Sequence, residues 1–69
     1  MKRHKVESSH IKSIGYDPIR HVLEIEFKGR QVYQYKDVPM EHYQGLMDSD
    51  SKGDYHHANI KEYPTVQIK

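Results

Sequence analysis

The chain has no cysteine, so neither a disulfide nor a thiolate metal centre can support its fold. That suits a reducing compartment. Apolar residues are scarce, at 35% of 69, and no apolar run approaches the roughly 18 residues a bilayer span needs. The basic start, MKRHK, is followed by VESSHIKSIG, which is too polar for the apolar stretch of a signal peptide. A cytoplasmic location with no membrane association is therefore expected. A dominant charge sign is also missing. Eleven Lys and Arg face ten Asp and Glu, for a net charge of +1, so no domain-wide basic field favours nucleic acid. Nor is there a Gly-x-Ser-x-Gly elbow, a phosphate loop, or a Ser, His and Asp set at a diagnostic spacing. The expectation is a protein that is not an enzyme.

What remains is one small domain, with residues 1–5 expected as a basic disordered tail and 6–69 as the folded unit. A chain of this length buries only about 60% of the surface its unfolded form exposes. Six tyrosines carry part of the apolar load, each burying a ring while keeping a polar tip. Val6 to Tyr16 reads as an irregular strand. Its Ile11 and Ile14 are three apart and share a face only across a bulge. Asp17-Pro18 marks a turn. Residues 21–27, HVLEIEF, alternate with the period of a strand. Lys28-Gly29-Arg30 is a tight connection to a second strand, QVYQYK. Asp37-Val38-Pro39 opens a helix with Met40, Tyr43, Leu46 and Met47 on one face. Ser51 with Asp54 resembles a capping box and starts a second helix, expected over 52–61 with Tyr55, Ala58 and Ile60 inward. Pro64 ends it, and TVQIK alternates as a last edge strand. The fold class is α+β: a small antiparallel sheet, β-β-β-α-α-β, with two short helices on one face.

Tyr33 and Tyr35 lie two apart and share a face. Across a three-residue loop, Ile25 opposes Tyr33 and Leu23 opposes Tyr35. That register sends Val32, Gln34 and Lys36 to the other, wet face with Glu24 and Glu26. The alternative two-residue loop would bury Lys36, at high cost. The two tyrosines are therefore expected under the helices, supporting the core or reaching a groove at its rim.

Taken together, Ser8-Ser9 with Ile11, Ile14-Gly15-Tyr16-Asp17, the Leu-x-Ile-x-Phe strand, Tyr33-x-Tyr35, Val38-Pro39, Ser51-x-Gly53 with Tyr55, Ile60 and Tyr63-Pro64 resemble the KTSC domain, over Val6 to about Pro64. That short domain occurs at the C-terminus of some lysyl-tRNA synthetases and as a free-standing protein of bacteria and phages. The resemblance, through the family's company with a tRNA-handling enzyme, implies RNA binding. The chain departs from the family in carrying His56-His57 where relatives often have Phe-Asn, and in an early glycine in the hairpin connection.

Among candidate sites, His56 and His57 are adjacent and point about 100° apart on a helix, so no metal is expected, and no cofactor. The sharpest candidate is an anion cradle where the second helix begins. There the helix-start amides at Ser51 and Gly53, with Lys52 and Lys61 for charge, would meet a phosphate. Ser8 and Ser9 would lie beside it, and Tyr16, Tyr33 or Tyr35 would stack a base. Lys12, Arg30 and Lys36 are further phosphate contacts. The expected partner is RNA or a small nucleotide, including a cyclic nucleotide sequestered in a pocket, with a homodimer as one form such a binder takes. A protein-interaction module using the edge strand is the alternative.

Overall fold

The computed structural model describes residues 1–69. Five antiparallel strands, β1 (His4–Lys5), β2 (Ile11–Asp17), β3 (Val22–Phe27), β4 (Val32–Tyr35) and β5 (Thr65–Gln67), form one sheet whose spatial order follows the chain. Between β4 and β5 run α1 (Met40–Asp48), α2 (Lys52–Tyr55) and a π-helical turn (His56–Ile60). The α+β class holds, with one strand more than the sequence suggested.

The β3–β4 hairpin takes the three-residue register, pairing Ile25 with Tyr33 and Leu23 with Tyr35. The Phe27 amide donates to the Gln31 carbonyl at 2.9 Å, closing the loop. Arg30, at φ 73°, supplies the left-handed residue this loop geometry needs. A register shift between Ile11 and Ser13 lets Ile11 and Ile14 both be buried completely. The turn after β2 is held by Asp17, whose Oδ1 accepts from the Ile19 and Arg20 amides.

Ile14, Leu23, Ile25 and Tyr35 form the helix-facing side of the sheet, where Val38, Leu46 and Ile60 complete the core. Helix α1 buries Leu46, while Met40 is left exposed. Pro39 is its N-cap and the helix begins at Met40. The second helix is not a continuous α-helix over 52–61. It is α-helical for one turn, and then the Lys61 amide donates to the His56 carbonyl five residues back. Ala58, expected inward, is exposed.

The other face of the sheet is not wet as expected. Glu24 is only 5% exposed and Val32 only 1%. The basic start is also no disordered tail. His4 and Lys5 pair with Ile14 and Ser13, and the Arg3 side chain crosses over Gly15 to reach Glu24. The guanidinium also donates to Ser13 Oγ and faces Glu26 at 3.7 Å. Gln34 Nε2 donates to the second Glu24 oxygen at 2.8 Å. A buried carboxylate is tolerated because both its oxygens are satisfied, one of them by a cation.

An aromatic cleft at the hairpin end of the sheet

On the helix-facing side, near the β3–β4 loop, lies a shallow open cleft of about 450 Å³. Its wall is aromatic. Period-two alternation brings Phe27 onto the face of Tyr33 and Tyr35. Phe27 meets Tyr33 edge-on, with centroids 5.7 Å apart at 83°, and meets the His56 ring at 5.5 Å and 75°. The His56 ring stands on Tyr35 at 5.4 Å. Polar groups rim the cleft: His10, Lys28 and Gln31, with Gly29 between the last two. The Lys28 amide donates to the His10 carbonyl at 2.9 Å, which holds the end of β3 against the segment before β2.

Tyr35 Oη lies 2.8 Å from His56 Nε2. Burial, with the neighbouring Tyr33 phenol second, pushes the Tyr35 hydroxyl up to about 12. It is therefore a protonated donor at neutral pH. Burial, then His57 and Lys61, holds the His56 imidazole below its usual value. The ring is neutral there, accepts at Nε2, and carries its proton on Nδ1. No hydrogen bond within the chain engages the side chains of Tyr33, Gln31, Lys28 or His10, and no buried side-chain nitrogen or oxygen is left without a partner. These four polar groups are accordingly open to solvent at the cleft.

Of the residues expected to bind, only Tyr33 and Tyr35 line this cleft. Gly53 borders it, since a Cβ there would sit 3.8 Å from the His10 ring. At the expected anion cradle, the Asp54 amide and the Lys52 ammonium are bonded within the chain. Ser51 Oγ accepts from the Asp54 amide at 3.4 Å, Lys52 Nζ donates to the Ser49 carbonyl at 3.0 Å, and α2 is a single turn of four residues. Ser8 Oγ accepts from the Ile11 amide at 3.3 Å and so shapes the entry to β2; Ser9 is exposed beside it. Tyr16 stands apart from the cleft, stacked on Tyr43 at 4.7 Å and 8°, with its hydroxyl donating to the Val38 carbonyl. Lys61 lies on the outer side of the π turn, 3.4 Å from His57 Nδ1.

Phe27, His56, His10, Lys28 and Gln31 were not foreseen as site residues. The parity that placed the tyrosines also places Phe27 beside them. The sequence marks His56 only as one of an adjacent histidine pair; the helical segment after Ser51 sets its ring on Tyr35. No cluster of three or more His, Asp or Glu side chains is arranged to hold a metal ion, and no helix is long and apolar enough to cross a membrane.

A family model described as "KTSC domain" matches residues 7–63. The chain is 45% identical over 53 residues to an uncharacterized protein of Stutzerimonas stutzeri, covering 77% of this chain and 75% of that protein. It is 39% identical over 57 residues to a lysine–tRNA ligase of Nostoc, covering 83% of this chain but 10% of the ligase. Its fold superposes on the crystal structure of a KTSC domain protein from Yersinia pestis with a TM-score of 0.95 at 40% identity, over 99% of this chain and 97% of that one.

Proposed function

The chain belongs to the KTSC domain family, and on that premise we propose that it is a non-enzymatic binding module that takes a flat, phosphate-bearing ligand, RNA or another nucleotide, in the aromatic cleft. One observation carries this reading: three aromatic rings and an imidazole wall an open hollow whose rim holds an unpaired ammonium, an amide and a second imidazole. Ring faces stack bases of any kind, and rim groups of these types meet base edges and phosphate. The cleft has no activated nucleophile. The Tyr35 phenol is held protonated, and its partner His56 is committed to it. The lysine–tRNA ligases that carry a similar segment handle RNA, which favours RNA within the nucleotide class.

The test is thermal melting with nucleoside monophosphates, cyclic nucleotides and short RNAs, on the native chain and on Tyr33→Ala. A ligand at a hundredfold excess over its Kd stabilises by about 2.7 kcal/mol. Removing the Tyr33 ring should cost about 1–3 kcal/mol of binding. A melting temperature unmoved by every nucleotide and RNA rejects the reading. A second reading rests on β5, an edge strand whose Val66 is 45% exposed and which is followed by Ile68, 49% exposed. Such an edge accepts a peptide strand from a protein partner. Capture of a protein by the native chain, lost on Gln67→Pro, whose N–H faces the open edge, with no nucleotide effect, would select it.

A further inference from the structure

Behind the aromatic cleft, on the opposite face of the same sheet end, lies a second hollow of about 380 Å³ lined by Met1, Arg3, Lys5, Lys12, Ser13 and Glu26. The two hollows share their strands. Phe27 lines the first and its neighbour Glu26 the second. His10 lines the first, while Lys12 and Ser13 line the second. Only the short loop 28–30 and the bulge of β2 separate them.

The second hollow is cationic. The only ion pairs in the chain join Arg3 to Glu24 and Glu26, so Lys5, Lys12 and Lys28 are unpaired. The one acidic group in the hollow, Glu26, accepts from the Ser13 hydroxyl at 2.9 Å. The residues lining the two hollows include four Lys and Arg (Arg3, Lys5, Lys12 and Lys28) against Glu26 alone, a net charge of +3. The rest of the chain holds seven against nine, a net charge of −2. The near-neutral total conceals a polarised surface.

Resting on the cleft reading above, we infer that the ligand is a single-stranded RNA rather than a lone nucleotide. One unstacked base enters the aromatic cleft, and the phosphate backbone crosses the hairpin end into the basic hollow, past Lys28 to Lys5 and Lys12. A mononucleotide held in the cleft reaches none of the cations on the far face. A duplex cannot present a splayed base to a hollow of this size. A strand, whose phosphates and bases can diverge, fits a sheet end that is aromatic on one side and basic on the other.

The experiment measures fluorescence anisotropy with a labelled single-stranded RNA of about eight nucleotides, its duplex, and AMP and UMP as competitors, over a range of salt. The chains compared are the native one, Lys5→Ala/Lys12→Ala, and Tyr33→Ala. Single-stranded RNA is expected to bind more tightly than duplex or mononucleotide. Its log–log salt slope should shrink by about 0.7 for each lysine removed, while the melting temperature of the lysine variant is unchanged. Tyr33→Ala should weaken binding without changing the slope. If AMP or UMP binds as tightly as the RNA, or the lysine variant binds RNA as the native chain does, the strand path is wrong and the cleft reading stands. If neither RNA nor mononucleotide binds, both fail.

Discussion

Tyr35 and His56 share a hydrogen bond whose strength depends on both staying neutral. Burial moves the two in opposite directions, the phenol up to about 12 and the imidazole down. The unfolded chain protonates His56 near pH 6.5, before the native one does. The His56 contribution to stability is therefore fully present above that value and is lost as pH falls from about 6.5 through the lowered native pKa. At the alkaline end the unfolded Tyr35 ionises near 10 and the native one near 12, so stability is lost as pH rises across that interval. Melting curves should decline on both limbs. His56→Phe should flatten the acid limb, and a spectrophotometric titration should show Tyr35 ionising late. Arg3 and Gly15 are coupled in another way. A Cβ on Gly15 would sit 2.6 Å from the Lys2 carbonyl and 3.1 Å from Arg3 Cγ. Gly15→Ala should displace the crossing side chain at a cost of about 1–3 kcal/mol, read as a lower denaturation midpoint.

Among the elements, the β3–β4 hairpin was the most legible, because alternation and the cost of burying Lys36 select one register. The bulge in β2 was implied by the three-residue spacing of Ile11 and Ile14. The second helix was misread past Tyr55. Its residues carry no period that distinguishes an α from a π turn. The wider turn is set by tertiary fit, with His56 against Tyr35 and Ile60 in the core. Strand β1 was invisible, since MKRHK has no apolar alternation and its order depends on carboxylates more than twenty residues away. The cleft was half legible. Its tyrosines follow from parity, whereas the helix start at Ser51 and Lys52 lies outside it, both side chains bonding to their own turn. The hairpin loop yields one more expectation. Arg30 sits at φ 73°, where an L side chain is strained. Arg30→Gly should raise stability by up to about 1 kcal/mol, the relief partly offset by the freedom of glycine when unfolded, as measured by chemical denaturation.

For the whole molecule, the sheet is covered on both sides by different means. Helices cover one face with apolar contacts. A single arginine and its partners close the other. Glu24 is buried and paired, so Arg3→Ala strands a desolvated carboxylate. The expected loss is about 1–3 kcal/mol, and Glu24→Gln in the same chain should recover part of it, read by equilibrium unfolding of the single and double variants. Strand order that follows chain order has its own consequence. No strand is wedged between two already joined, so the ladder extends only at its borders. Variation at the β1 border leaves the β3–β4 pair undisturbed, because β2 lies between them, whereas β5 pairs with β4 directly. The hollow lined by Phe27, Tyr33 and Tyr35 stands on that pair, so β1 is free to diverge among related chains while its shape is kept, and β5 is not.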